Sequence, residues 1–165
     1  MSFFVHSTSI IEKNVKIGGE SKIWHFCHIS ENARIGKNVT IGQNVFVGKG
    51  VFIGDGCKIQ NNVSIYEGVK LEKNVFIGPS VVFTNVKIPR AFIEQKKNFK
   101  QTIIKKGSSI GANSTIVCGN VLGKYCFVGA GSLILKNVKD FNLVYGCPAE
   151  PRAIIDKSGK IIKKI

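Results

Sequence analysis

The chain has 165 residues, which suits a single domain, and 18 of them are glycine, a content typical of many tight turns. Its formal net charge of +14 suits a nucleic acid, an anionic membrane surface or a polyanionic small molecule, and the sign alone does not select among them. The first residues lack the basic and apolar regions of a secretory signal, and no apolar stretch approaches membrane-spanning length, so we expect no membrane insertion.

A period of six residues begins near the start of the chain. A large aliphatic or aromatic residue recurs at every sixth position from Val5 to Phe83, and the series resumes from Ile104 to Ile134. Two residues before most of them stands a small or β-branched residue, such as Val45. Two inward positions followed by a turn describe a short strand. A helical stripe would return at seven, so the pattern predicts an all-β parallel solenoid of stacked coils.

The period is interrupted once. The basic segment 86–103, with Pro89 and Arg90 near its start, breaks the pattern and predicts one loop that protrudes from the solenoid. We therefore expect a solenoid domain at 1–140 with this extruded loop, and a C-terminal cap or tail at 141–165. Within the tail, the segment 153–162 predicts two short strands around Ser158 and Gly159, or a single capping element.

The five cysteines are odd in number and form no C-x-x-C pair, which favours a reduced, cytoplasmic location with free thiols. Cys27, Cys57 and Cys126 fall in the inward register of small residues. We expect them to be core residues and not catalytic nucleophiles.

Three strings carry a resemblance to a known family: IWHFCHI (Ile23 to Ile29), the stretch from Gln60 to Arg90, and SSIGANSTIVCG (Ser108 to Gly119). They resemble the bacterial hexapeptide-repeat N-acetyltransferases that modify 3-amino sugars linked to UDP or dTDP, for O-antigen and related surface glycans. The resemblance covers almost the whole chain. It implies a left-handed parallel β-helix with three repeats per coil, a homotrimer, and acetyl-CoA bound between subunits as co-substrate.

By this resemblance, acetyl-CoA lies along the later coils, where small residues let it approach the backbone. The residues so assigned to the cofactor are Gly111, Ala112, Gly129, Ala130, Lys105, Pro148 and Arg152. The lysine-rich C-terminal tail departs from the family's usual ending.

Three repeats per coil place residues i and i+18 in one column, about 4.8 Å apart. Tyr66 then lies beneath Thr84, and Glu67 beneath Asn85, at the root of the loop. An amide column lies elsewhere on the prism, and we expect it to meet the loop root of a neighbouring subunit. The residues expected to contact the sugar nucleotide are His25, Gln43, Asn61, Asn62, Tyr66, Thr84 and Arg90.

The expected reaction is attack of a sugar amine on the thioester carbon. It needs a neutral amine, close approach and a donor for the developing oxyanion, for which backbone N–H groups of the glycine-bearing turns are candidates. The departing thiolate is itself able to accept the proton. The side chains expected to take part are Asn85, which otherwise anchors the loop, Glu67, which orients the amine or holds the loop root, and His28, a general base or an interface residue.

Other functions fit the sequence less well. A metal enzyme of the carbonic anhydrase type needs three converging histidines, whereas His6, His25 and His28 all precede the later coils, so we expect no metal. An O-acetyltransferase would need a His with an acidic partner near the loop. A non-enzymatic trimeric binding solenoid would have no affinity for CoA. Nucleic-acid binding would use Phe92 and Phe99 within the basic loop, and it ranks below the others. UDP or dTDP, the sugar configuration and the acyl chain stay open.

Overall fold

The computed structural model describes residues 2–165, which form short strands joined by tight turns. Before the loop the strands are β1 (Phe4–Val5), β2 (Ile10–Ile11), β3 (Lys16–Ile17), β4 (Lys22–Ile23), β5 (His28–Ile29), β6 (Arg34–Ile35), β7 (Thr40–Ile41), β8 (Phe46–Val47), β9 (Phe52–Ile53), β10 (Lys58–Ile59), β11 (Ser64–Ile65), β12 (Val69–Leu71), β13 (Phe76–Ile77) and β14 (Val82–Phe83). After it they are β15 (Thr102–Ile104), β16 (Ser109–Ile110), β17 (Thr115–Ile116), β18 (Val121–Leu122), β19 (Phe127–Val128), β20 (Leu133–Ile134), β21 (Asn142–Gly146), β22 (Ala149–Ile155) and β23 (Ile161–Lys164).

Each strand of the coils pairs in parallel with the strand three places later in the chain, which gives three sheets around one axis. Sheet 1 runs from β1 through β4 and β7 to β19 and ends in β21, β22 and β23; sheet 2 runs from β2 through β5 to β20; sheet 3 runs from β3 through β6 to β18. In sheet 1, Thr40 pairs with Lys58 and Lys58 with Phe76, a step of one coil. The fold is the left-handed parallel β-helix that the resemblance implies, with three hexapeptide repeats in each coil.

The core is the inside of this prism. The inward position of each strand is fully buried over the middle and later coils, as Ile59, Ile110 and Phe83 illustrate with 0% exposure. The small residue two positions earlier is buried beside it, as Val63 shows. This burial of two registers confirms the period of six as the determinant of the fold.

The coils stack closely at the turns. Asn44 and Asn62 hold left-handed conformations, with φ of 57° and 60°, that Asn tolerates better than most residues. At Gly111 the backbone of the next coil is so near that an added Cβ would lie 2.5 Å from the Ala130 nitrogen. The turns therefore select Asn and Gly for two different reasons, dihedral angle and space.

The protruding loop lies between β14 and β15 and holds a short 3₁₀ helix, Lys96–Asn98. Its two ends are tied together, because the Lys100 N–H donates to the Asn85 carbonyl at 2.9 Å. After the last coil, β21, β22 and β23 are antiparallel neighbours. The strand pair β22 and β23 flanks Ser158 and Gly159, where the sequence predicts two strands.

Candidate active site

The turns of the prism form three edges. Edge A joins sheets 1 and 2, edge B joins sheets 2 and 3, and edge C joins sheets 3 and 1. At each turn, the second residue after the strand stacks in a column along its edge. On edge A this column includes His25, Gln43, Asn61, Pro79, Ala112 and Ala130. On edge B it includes Glu31, Lys49, Glu67 and Cys118, and on edge C it includes Lys37, Asp55, Lys73, Lys106 and Lys124. The amide column and the glycine-bearing turns thus share edge A, whereas the loop leaves from edge B.

A cavity of about 430 Å³ opens at the loop root on edge B. Its lining residues are Tyr66, Val82, Phe83, Thr84, Asn85, Val86, Lys87, Pro89 and Val117. Thr84 fixes the root, since its Oγ1 accepts a hydrogen bond from the Cys118 N–H at 3.0 Å and its N–H donates to the Ile116 carbonyl at 3.1 Å. A cavity of this volume suits a sugar-sized ligand. The structure brings together three of the residues expected at the site, Tyr66, Thr84 and Asn85.

Glu67 lies one turn below Asn85 but outside the cavity lining. It continues a column of alternating charge on edge B, in which Lys49 Nζ lies 2.6 Å from Glu31 Oε1 and Lys13 Nζ lies 3.5 Å from Glu31 Oε2. The hydrogen bond that Lys49 donates to Glu31 raises the pKa of Lys49, and the charge of Glu67 adds to this effect. This column gives Glu67 an electrostatic partner, Lys49, on the side away from the loop.

His28 lies on the outer face of sheet 2, three strands below Val82 in the same column and therefore about 14 Å from it. Its Nε2 lies 2.6 Å from Glu12 Oε1, and the other Glu12 oxygen accepts the Glu31 N–H at 2.8 Å. The bond to His28 is the main cause that lowers the pKa of Glu12. A row of aromatic rings links His28 to the cavity. The centroid of the Phe46 ring lies 5.6 Å from that of His28 and 5.6 Å from that of Tyr66.

His25, Gln43 and Asn61 line a shallow depression on edge A together with Trp24. The Asn61 Oδ1 accepts the Gln43 N–H at 2.9 Å, which uses that oxygen to stabilise the wall. On the adjacent column, the Asn44 Nδ2 donates to Asn62 Oδ1 at 3.0 Å. Through these bonds the side chains of Asn44, Asn61 and Asn62 stabilise the wall of the prism.

Higher on edge A, the N–H groups of Gly111 and Gly129 donate to the carbonyls of Val128 and Val144, each at 2.8 Å. These donors are therefore engaged in the wall. The following turn residues, Ala112 and Ala130, carry no polar side chain to cover their own backbone. Of the backbone donors in the glycine-bearing turns, the N–H groups of Ala112 and Ala130 are therefore the candidates for binding a ligand.

The other residues expected to hold the cofactor divide between two places. Arg152 lies over the Tyr145 ring at 5.2 Å, and Tyr145 in turn lies against Gly129, at the upper end of edge A. Pro148 lies near Gly146 in the turn that joins β21 to β22. Lys105 lies on edge C, across sheet 1 from the glycine-bearing turns. Arg90, which the sequence assigns to the sugar nucleotide and not to the cofactor, is exposed on the loop. Its Nη1 donates to the Pro89 carbonyl at 3.2 Å.

Two residues contact the cavity, or a residue expected at the site, without following the 18-residue spacing of the columns. Lys87 lines the cavity although it lies in the irregular loop, and only the charge of that loop pointed to it. Glu12 reaches His28 across 16 residues and not 18, because it stands in the turn after β2 and extends toward the next coil. A search for an acid at the end of the strand beneath each His would have found it.

The buried thiols are poor nucleophiles. Burial raises the pKa of Cys57 and of Cys126 to about 11, and it raises the pKa of Cys27 as well. All three belong to the core, as predicted. Residues 2–165 contain no group of His, Cys, Asp and Glu side chains suited to a metal ion. In the same part of the chain, no helix has the length and apolarity of a membrane span.

Comparison with known proteins places these features in context. Residues 8–49 match the family described as bacterial transferase hexapeptide (six repeats), and residues 43–139 match the GMPPB C-terminal domain. The chain is 45% identical over 152 residues to a dTDP-3-amino-3,6-dideoxy-alpha-D-galactopyranose 3-N-acetyltransferase from Aneurinibacillus thermoaerophilus, which covers 92% of this chain and 78% of the relative.

Two solved structures share the fold. A hexapeptide transferase family protein from Anaplasma phagocytophilum has a TM-score of 0.65 at 22% identity, covering 95% of this chain and 81% of its own. A variant of AntD, an N-acyltransferase from Bacillus cereus in complex with dTDP and coenzyme A, has a TM-score of 0.63 at 20% identity, covering 94% of this chain and 84% of its own.

Proposed function

Since the chain belongs to the hexapeptide-repeat N-acetyltransferases, we propose that it transfers the acetyl group of acetyl-CoA to the 3-amino group of a nucleotide-linked 3-amino-3-deoxy sugar. The observation that carries the proposal is the 45% identity to the 3-N-acetyltransferase over 152 residues, which is 92% of this chain. The substrate of that relative favours dTDP over UDP for this chain, in the biosynthesis of a surface glycan.

The subunit arrangement that we propose is a homotrimer packed through sheet 2. The outward positions of that sheet carry no Lys or Arg: they are Ile10, His28, Phe46, Ser64, Val82, Thr115 and Leu133. Sheet 1 presents Lys22 and Lys58 outward, and sheet 3 presents Lys16, Arg34 and Lys70. An uncharged, partly apolar face supports subunit contact.

Edges A and B flank sheet 2, so packing on this sheet brings edge A of one copy beside edge B of its neighbour. The cofactor would then lie along Ala112 and Ala130 of one copy, and the sugar in the loop-root cavity of the next. His25, Gln43 and Asn61 would contribute from edge A, below the thioester. Lys105 fits this arrangement least well, because it lies on edge C.

In the proposed mechanism, the neutral 3-amino group attacks the thioester carbon, and a new C–N bond forms as the C=O electrons move to oxygen. The N–H groups of Ala112 and Ala130 are the proposed donors to that oxygen. Collapse of the intermediate breaks the C–S bond, and the amine proton passes to the departing thiolate, which yields an amide and free coenzyme A. Asn85, with a half-buried side chain in the cavity wall, orients the amine.

Glu67 and His28 have smaller proposed roles. Glu67 supports the loop root from below, next to Lys49 in the charged column of edge B. His28, paired with Glu12 on sheet 2, is proposed as a subunit contact, since its column position is about 14 Å below the cavity. This pair is a His with an acidic partner, as in an O-acetyltransferase, although it lies away from the loop, and that second function is therefore tested alongside.

The test is thiol release from acetyl-CoA with a panel of dTDP- and UDP-linked 3-amino sugars, together with their 3-hydroxy analogues, followed by mass spectrometry of the product. We expect release with an amino sugar and a mass gain of one acetyl group. The variant Asn85→Ala should lose activity, whereas Asn98→Ala, on the exposed part of the same loop, should keep it. Acetylation of the hydroxy analogue would favour the O-acetyltransferase, and binding of amino sugars without thiol release would favour a binding solenoid.

The trimer is tested by light scattering. Leu133→Lys, on sheet 2, should shift the mass toward a monomer, and the matched Val121→Lys, on sheet 3, should not. The free state of the cysteines among residues 2–165 supports a reducing, cytoplasmic location, where acetyl-CoA is also found. Fractionation of cells that express the protein would test this placement.

A further inference from the structure

Two lysines converge on one turn above the loop root. Lys87 lines the cavity, and its side chain approaches Gly119, where Cε would lie 3.4 Å and Nζ 3.9 Å from an added Cβ. Lys100 flanks the same turn, with its Cβ 3.7 Å from that position. One lysine stands where the loop leaves the wall and the other where it returns, and the bond between the Lys100 N–H and the Asn85 carbonyl keeps the two together.

Among residues 2–165, no acidic side chain forms an ion pair with either lysine. The ion pairs among residues 2–165 involve Lys13, Lys49, Lys73 and Lys136, with one His–Glu pair. The loop 86–103 has a single acid, Glu94, and its Oε1 accepts the Lys96 N–H at 2.9 Å.

Lys87 lies in the cavity lining and Lys100 stands on the neighbouring turn, so their like charges repel each other, and an anion bound between them lowers that repulsion. Ammonium groups bind phosphate well through charge-assisted hydrogen bonds. A nucleotide-linked sugar carries its diphosphate at C1, two carbons from the 3-amino group. With the amine held at Asn85 inside the cavity, the diphosphate therefore reaches the rim.

We propose that Lys87 and Lys100 bind the diphosphate of the sugar nucleotide and so make the enzyme selective for nucleotide-linked over free amino sugars. This proposal rests on the proposed function. It assigns the two lysines to binding of the sugar nucleotide and not to acetyl-CoA, although coenzyme A also contains a diphosphate. Separate KM values for the sugar nucleotide and for acetyl-CoA therefore distinguish the two assignments.

The experiment compares the KM for the sugar nucleotide, the KM for acetyl-CoA, and turnover of the free 3-amino sugar, in wild type and in Lys87→Gln and Lys100→Gln. Loss of one charge-assisted contact should raise the KM for the sugar nucleotide about tenfold or more, with kcat little changed. The KM for acetyl-CoA and the turnover of the free sugar should stay the same. Lys87→Arg should restore most of the affinity, and Lys97→Gln, on the exposed 3₁₀ helix, is the matched control.

Calorimetry with dTDP and with thymidine gives a readout that does not need turnover. Wild type should bind dTDP more tightly than thymidine, and Lys87→Gln should lose that preference. An unchanged KM for the sugar nucleotide in both Gln variants, an equal loss on the free sugar, or a loss confined to acetyl-CoA would each overturn the lysine assignment while the transferase function stands. If wild type turns over no sugar nucleotide and binds no dTDP, the proposed function itself fails.

Discussion

Phe83 connects the core of the prism to the loop-root cavity, and its replacement by Ala gives a quantitative test of the register. The side chain is 0% exposed and also contributes to the cavity wall. Removing a fully buried Phe costs about 3–5 kcal/mol of unfolding free energy, because the lost apolar burial and the new void both contribute. We expect this loss together with a drop in activity, since the wall beneath Asn85 collapses.

Phe52→Ala is the matched control, because the same side chain lies on the outer face of sheet 3 and is 41% exposed. It hides roughly three-fifths of its surface and leaves no enclosed void, so the expected cost is about 1–2 kcal/mol. Urea unfolding followed by circular dichroism, at one fixed protein concentration, measures both variants. Equal losses for Phe83→Ala and Phe52→Ala would refute the assignment of inward and outward positions.

Other substitutions and reagents test separate parts of the structure. Because the bond to His28 lowers the pKa of Glu12, the stabilisation it gives is present above the unfolded pKa near 4.3 and is lost as the pH falls through the folded value. Glu12→Gln should therefore lower Tm at pH 7, and the difference from wild type should shrink as the pH falls below the unfolded pKa. A pH series of melts in which the difference persisted undiminished in acid would contradict this. A thiol reagent should modify exposed Cys147 in the native protein and spare Cys126, whose pKa is raised to about 11, and mass mapping of peptides would reveal the reverse. Gly111→Ala should lower stability by about 1–3 kcal/mol through contact with the next coil, and a Tm equal to that of wild type would show that the coils are less closely stacked.

Much of the fold could be predicted from the sequence because the solenoid has a one-dimensional code. Each inward Ile, such as Ile59, has neighbours set by the period alone, so burial at one position implies burial six residues later. The same logic placed Tyr66 beneath Thr84, since both strands of that column belong to sheet 2 and pair in register. The cysteines in the small register are buried for the same reason.

The candidate site could be predicted only where it follows the columns. The Lys87 side chain reaches the cavity from an irregular segment, where no period relates sequence to position. Lys105 is a second case in which the spacing alone does not give the position. The loop interrupts the period, so a residue after it has to be assigned to an edge before its neighbours are known. In the structure, Lys105 lies on edge C. Contacts between copies of the chain lie outside any single-chain periodicity.

The proposed catalytic site is shared between edge A of one copy and edge B of the next. It is tested most directly by mixing two variants that are each inactive alone: Asn85→Ala, which damages the loop root, and Ala130→Trp, which fills the glycine-bearing edge. In randomly mixed trimers, one site in four combines an intact loop root with an intact edge A, so we predict recovery to about a quarter of wild-type activity. Mixed trimers that stay as inactive as the separate variants would contradict the shared site.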